Sequence, residues 1–468
     1  MNPFLNPVVG FTSLKYYLTV PKRITKLSPK QMEKYRDKAF KKTIEYAYKT
    51  PLYHQKYKDA GIHPRDIHGI KDIKKLPYIS KKDIRNNFPD GIIPTNYNKK
   101  KGYIIATGGT TGKSVFLYTD LLSMAESIQI SVRELNHFGF NHKKTRFAHI
   151  GNLSTNRIDL VMEEKLYGPL KTFFNVDHIL NMDVNQPIKT LINKLDSFKP
   201  DLLVTYPAIH QHLAFLKKKG YGKNFNPKLL FSAGAMLDEY TRSYVEDVFG
   251  CRLLNSYPSV EAGTNIAFEC KEGTWHVHHD FFHLEAIDDN QELVAPGERG
   301  HLVITKLYGR GTPIVRYTGM DDWVRIIDKM ECNCGLKTPV IKGGVEGRMK
   351  ANIILPNGKI FPPGAFCFIE PVLKKFNTFK VKQYQIIQKK IDEIEILLVI
   401  DEDLRNVGVS VEEIKENIKQ IYREKVGPDV TINVKEVDEI KHPKDARKPP
   451  PIVISHVTSK NGYKQLEN

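Results

Sequence analysis

Thr107-Gly108-Gly109-Thr110-Thr111-Gly112-Lys113-Ser114 is the stretch that most restricts what this chain can fold into. Tyr103-Ile104-Ile105-Ala106 ahead of it and Val115-Phe116-Leu117-Tyr118 behind it both read as strands, and a helix-prone stretch begins at Asp120. The octapeptide is therefore a loop between strands. Glycine lets backbone N–H groups approach an anion closely, threonine hydroxyls add donors, and Lys113 adds a point charge. Such a loop suits a polyphosphate. The nucleotide-triphosphatase P-loop would need Gly at 107 and a helix directly after Ser114; Thr107 and the strand-like run at 115–118 weigh against it.

The chain has 468 residues, room for one large domain with a smaller one, or for three modest ones. Apolar residues make up 41%, which supports a sizeable core and argues against wholesale disorder. The net charge of +18 is spread along the chain in short runs such as Lys99-Lys100-Lys101 and Lys217-Lys218-Lys219, with no nucleic-acid motif beside them. It reads as a lysine-rich surface rather than a nucleic-acid footprint. No apolar run approaches the roughly 20 residues of a membrane span, and the first residues lack a secretory pattern. Five cysteines, an odd number, argue against a disulfide framework. A cytoplasmic protein without nucleic-acid partner or membrane span is expected.

Residues 29–60 read as helical, capped by Ser28 with Pro29 in the first turn. From about 120 to 345 helices alternate with short apolar strands such as Leu202–Tyr206 and Leu229–Ser232, the signature of a parallel α/β sheet. Residues 275–305 change to antiparallel strands around the Pro296-Gly297 turn. Composition shifts near 347. Strands at 379–388 and 393–400, an amphipathic helix at 411–425 and a last strand at 430–437 then make a small α+β unit. The fold class is α/β, with domains at 1–347 and 351–468 and a hinge at 348–350.

Three further constellations carry chemistry. Asn255-Ser256-Tyr257-Pro258-Ser259-Val260-Glu261 follows a probable strand, and the crevice beyond the carboxyl ends of parallel strands is where α/β ligand sites form. Glu261 offers hard oxygen to Mg²⁺, and Tyr257 offers a ring to a purine. Arg316-Tyr317-Thr318-Gly319-Met320-Asp321-Asp322 sets adjacent carboxylates in a glycine turn, able to accept both hydroxyls of a ribose. Gly347-Arg348 stands at the compositional junction, where an arginine can reach a nucleotide and its neighbours can act as a hinge.

Taken in order, the Gly/Thr loop, Tyr257-x-x-x-Glu261, Arg316-Tyr317-x-x-x-Asp321 and Gly347-Arg348 resemble the adenylate-forming superfamily of acyl-CoA synthetases. The N-terminal runs Ala47–Tyr53 and Leu76–Asp83, and the later Pro356–Pro362, are similar to its phenylacetate–coenzyme A ligase branch, which includes capsule-biosynthesis homologues. The resemblance implies a large N-terminal α/β domain and a mobile C-terminal lid. It implies ATP-dependent activation of a carboxylic acid to acyl-AMP with release of pyrophosphate, then transfer to a thiol, most commonly coenzyme A. Transfer to an amine or sugar acceptor in surface polysaccharide synthesis, or a degenerate nucleotide-binding homologue, stand as alternatives.

By the same resemblance Thr107, Gly108, Gly109, Thr110, Thr111, Gly112 and Lys113 hold the phosphates. Ser256 and Tyr257 pack on adenine, Glu261 binds Mg²⁺, and Asp321 and Arg348 hold the ribose. Lys444, in Lys441-His442-Pro443-Lys444-Asp445-Ala446-Arg447, matches the lysine of the family's G-K-x-x-R segment, with Pro443 in place of its glycine. Lys444, Glu261 and Thr110 are the catalytic candidates. Some relatives carry zinc at positions matching Cys270, His276, Cys332 and Cys334, a normal Cys₃His set. His278, His279 and His283 are rival ligands, and free buried thiols are the other reading. A homodimer is a further expectation.

Overall fold

The structure is a computed structural model and describes residues 2–107, 114–173, 175–348, 351–440 and 450–457. Its centre is an eleven-stranded mixed sheet. Five strands run parallel in the spatial order Leu253–Ser259, Leu229–Ser232, Leu202–Thr205, Phe147–Gly151 and Ile179–Asp183. On the other side of Leu253–Ser259 every pairing is antiparallel, beginning with Thr264–Glu269. The expected change of sheet type is thus present, but it falls one element earlier than residues 275–305.

The parallel strands are apolar on both sides because both faces are covered. Leu203, Leu230 and Leu253 face helices Ile188–Phe198, Pro207–Lys218 and Glu239–Phe249. Leu202, Leu229, Phe231 and Leu254 face the other way, onto Phe138 and Phe268. The alternation follows from the two-residue period of a strand. Leu121–His137 is a helix, as its pattern indicates, and Asp120 caps it by accepting from the Ser123 N–H.

The expected helix at 29–60 is two helices, Pro29–Tyr48 and Pro51–Asp59. Pro51 lacks an N–H and disfavours the helical region for Thr50, so the first helix must end there. Ser28 and Gln31 form a capping box at its start. A helix the sequence did not announce, Pro7–Thr19, lies ahead of them. It is apolar around most of its circumference, so it carries no periodic signal.

Residues beyond 350 build a four-stranded sheet in the order Thr431–Glu436, Glu393–Ile400, Val381–Lys390 and Val453–Ser455, packed on helix Val411–Val426. The strand at 430–437 is therefore not the last. Val453–Ser455 pairs parallel with Ile386–Gln388, and a three-residue strand is too short to show a pattern. This sheet touches the rest of the chain through Tyr240, whose hydroxyl donates to the Val381 carbonyl, and through the Lys219–Asp403 ion pair. Among the described residues no helix is long and apolar enough to cross a membrane.

Candidate active site

A cavity of about 1000 Å³ opens at the carboxyl ends of the parallel strands. Asn152, Tyr206 and Ala233, each just past a strand end, and Tyr257, within the last half of its strand, line it, and Tyr384 and Ser455 of the C-terminal sheet also border it. The cavity sits where the sheet changes from parallel to antiparallel. Open α/β sheets bind ligands in the crevice outside the carboxyl ends of their parallel strands.

Leu253–Ser259 is the strand at this change. The sequence suggested a loop from 255; the strand in fact continues to Ser259, because it is held between a parallel and an antiparallel neighbour. Its register slips between Tyr257 and Pro258. Proline has no N–H for the ladder, so a bulge there is the least costly arrangement. Beyond the bulge the Ser259 hydroxyl donates to Glu261 at 2.7 Å and accepts from the Glu261 N–H at 3.1 Å. The Glu261 carboxylate is thereby fixed at the cavity wall, half-buried.

Tyr257 lines the same cavity as Glu261, and its hydroxyl donates to the buried carboxylate of Asp322. Burial raises the Asp322 pKa, which Arg348 and the Tyr257 hydrogen bond offset; burial, with Asp322 beside it, holds the phenol far above its ordinary pKa. The phenol therefore stays a donor. Asp322 also bridges Arg348 through the backbone. Asp321, its neighbour, pairs instead with Lys81, and both carboxylates line the cavity. Asp321 is held at φ +58°, a conformation aspartate tolerates better than most residues. This left-handed turn sends two consecutive carboxylates to different tasks.

Lys81 is 240 positions from Asp321. Local sequence gives no signal of this pairing. It arises because Ile79 bridges Tyr317 in parallel and Arg316 clamps the same segment, donating to the Leu76 carbonyl at 2.6 Å and pairing with Glu285. Arg316 is thus the fastener of the turn that carries Asp321. Lys81 is the residue of this wall that sequence reasoning missed; Asp322 was read with Asp321 as one of two adjacent carboxylates, without its bond to Tyr257.

Gly102–Ala106 and Phe116–Asp120 pair as an antiparallel hairpin, so the two apolar runs are strands, as their composition suggested. Thr107 closes its neck: its N–H donates to the Val115 carbonyl and its hydroxyl accepts from the Val115 N–H, both at 2.9 Å. Thr107 also lines the cavity. Gly108, Gly109, Thr110, Thr111, Gly112, Lys113 and Lys444 lie outside the described residues. Of the remaining candidates, Thr107, Ser256, Tyr257, Glu261, Asp321 and Arg348 all line this one cavity.

Towards strand Thr264–Glu269 the wall carries Glu134, which accepts from both Asn265 and His278. Arg133 has only donors, so it must donate to Nδ1 of His278; the imidazole is then neutral and its Nε2–H donates to Glu134. Burial accordingly lowers the His278 pKa. His278 is thus occupied elsewhere, and His283 is engaged with Arg36.

Cys270, His276, Cys332 and Cys334 form a separate cluster whose ligand atoms all lie within 4.8 Å of one another. Cys270 Sγ and Cys332 Sγ are 3.7 Å apart, and Cys334 Sγ and His276 Nε2 3.1 Å. A tetrahedron with metal–sulfur arms of about 2.3 Å has edges of roughly 3.8 Å. The set therefore fits a zinc ion with small adjustments. His276 Nδ1 contacts the Thr338 hydroxyl at 3.0 Å, which orients Nε2 inwards. His278, His279 and His283 are not in this cluster.

No family model matches the chain. It is similar to the phenylacetate–coenzyme A ligase of Pseudomonas putida, with 28% identity over 334 residues, covering 68% of this chain and 71% of that one. The phenylacetate–coenzyme A ligase of Thermus thermophilus is 26% identical over 421 residues, 85% of this chain and 89% of its own. Among solved structures, 2-hydroxyisobutyryl-CoA ligase in its postadenylation state superposes with a TM-score of 0.76 at 17% identity, covering 93% of this chain and 91% of that one. At that identity the likeness establishes the fold.

Proposed function

We propose, from the premise that the chain is a homologue of the phenylacetate–coenzyme A ligases built on the adenylate-forming acyl-CoA ligase fold, that it activates a carboxylic acid with ATP and passes the acyl group to a thiol, coenzyme A. The observation that carries this reading is the convergence of Thr107, Tyr257, Glu261, Asp321 and Arg348 on one cavity, from segments spread over more than 200 positions.

In this reading Tyr257 and Ser256 form the adenine wall, Asp321 accepts the ribose hydroxyls, and Arg348 closes over the nucleotide. The loop from Thr107 to Lys113 cradles the phosphates from a hairpin neck that Thr107 holds shut. The acid's carboxylate attacks the α-phosphate, the bond to pyrophosphate breaks, and acyl-AMP forms. The thiol then adds to the acyl carbon and AMP leaves. Lys444 supplies positive charge to the carboxylate and α-phosphate in the first step, where negative charge grows. Glu261, a hard oxygen donor fixed by Ser259, is the residue that would hold Mg²⁺, which neutralises phosphate charge.

The domain division belongs to the same proposal: residues 1–347 carry the nucleotide, 348–350 hinge, and 351–468 move as a lid. Met349 and Lys350 lie outside the described residues. The Cys270–His276–Cys332–Cys334 cluster holds a structural zinc that pins the 328–339 loop to the sheet.

ATP–pyrophosphate exchange over a panel of carboxylic acids tests the reading. Acid-dependent exchange is expected; a chain that supports none with any acid is not an activating enzyme. Release of AMP that requires coenzyme A, rather than an amine, distinguishes the thiol acceptor.

A further inference from the structure

Helix Pro7–Thr19 packs one side on the body of the protein. Tyr16 hydrogen-bonds Glu126, Tyr17 meets His142 at 3.0 Å, and Val9 joins the main core. The opposite side is bare. Leu5, Val8, Phe11, Leu14 and Leu18 follow at spacings of three and four, and Phe11 is 76% exposed. These are five of the thirteen exposed large hydrophobic side chains among the described residues, gathered within one short stretch. A surface helix ordinarily turns polar residues to water; this one turns an apolar stripe.

The charge of the local sequence is one-sided. Residues 2–32 contain Lys15, Lys22, Arg23, Lys26 and Lys30 and no aspartate or glutamate. Arg23 is spent on buried Asp280, but the four lysines are exposed, and Lys143 adds a cation over the Tyr17 ring. An apolar stripe edged by cations fits an anionic lipid surface, where the side chains enter the acyl boundary and the lysines meet headgroups. A second copy of the chain fits less well, since a two-fold contact would bring like-charged lysines together. At 13 residues the helix is about 20 Å long, too short to span a bilayer, so it would lie in the surface.

We infer that the exposed face of helix Pro7–Thr19 docks the protein on anionic membrane surfaces. Flotation with vesicles tests this, comparing pure phosphatidylcholine with phosphatidylcholine containing about a third phosphatidylglycerol. The protein is expected to float with the anionic vesicles, and less so as salt rises above about 0.1 M. Phe11→Ser with Leu14→Ser should cut binding at least about tenfold, with unchanged circular dichroism and exchange activity. Lys15→Glu with Lys22→Glu and Lys26→Glu, which leaves the apolar stripe intact, should do the same for anionic vesicles. Failure of the unaltered protein to float with anionic vesicles overturns the inference. So does binding that both variants retain, or a solution dimer that the Phe11/Leu14 variant dissociates.

Discussion

The Tyr257 hydroxyl donates to the Asp322 carboxylate across 65 positions of sequence. The bond ties the strand that carries the proposed adenine wall to the turn that carries Asp321. Tyr257→Phe keeps the ring and removes the donor from a buried carboxylate, at a cost of about 1–3 kcal/mol in stability. Urea unfolding should show that loss, while KM for ATP changes by less than about threefold. Tyr257→Ala also removes the stacking surface, and KM for ATP should then rise about tenfold or more.

Lys81 holds Asp321 in its left-handed turn. Both side chains are partly exposed, so the pair contributes through orientation more than through bulk stability. Lys81→Met should raise KM for ATP about threefold to tenfold with the melting temperature nearly unchanged. A fall in melting temperature with unaltered KM would make Lys81 a merely structural partner.

Local chemistry was the legible part of this site. The Gly/Thr loop, the Tyr257–Glu261 segment and Asp321 each carry residue types whose chemistry shows in a few positions, and alternation of helices with apolar strands marked the parallel sheet. Contacts made by tertiary folding were not legible. Lys81 reaches Asp321 only because Arg316 and Ile79 bring its segment across. Helix Pro7–Thr19 was missed because an apolar helix without a polar face has no 3.6-residue signal, and Val453–Ser455 because its partner strand, not its composition, makes it a strand.

The cysteine–histidine cluster should hold about one zinc per chain by metal analysis. Burial pushes the Cys334 thiol up to about 12 and His276 down to about 4, so the imidazole is already in its ligand form and the thiol must release its proton to the metal. Chelation should therefore lower the melting temperature by several degrees, more readily at pH 6 than at pH 8. Cys334→Ser should reproduce the loss and remove the metal. A metal-free protein with the same melting temperature would make the four residues free thiols and a core histidine.

Lys444→Ala should lower acid-dependent ATP–pyrophosphate exchange by about a hundredfold, the scale of removing one electrostatic stabiliser from a charged transition state. Thioester formation from supplied acyl-AMP should stay within about threefold. Equal loss in both half-reactions would remove the assigned role, because a lysine acting on the α-phosphate serves only the first.

Acid should destabilise the fold through histidines buried as neutral rings. Burial lowers His210 and His279 to about 4 and His283 to about 3, from an ordinary 6.5. Between those values the unfolded chain binds protons that the fold refuses, so stability falls as pH drops from about 6.5 towards 4. Glu126 opposes this. Burial raises it from 4.5 to about 7, so the fold binds a proton there that the unfolded chain releases, and its contribution is lost as pH rises through that range. Near pH 5.5 these histidines, with His276 also lowered to about 4, take up more protons on unfolding than Glu126 gives back, so unfolding binds protons overall. Denaturant titrations at pH 5, 5.5 and 6 should show stability falling with pH, and Glu126→Gln should steepen the fall by about one proton. A slope that Glu126→Gln leaves unchanged would show that this carboxyl is ionised in the fold, with Arg23 and Lys306 close enough to outweigh its burial.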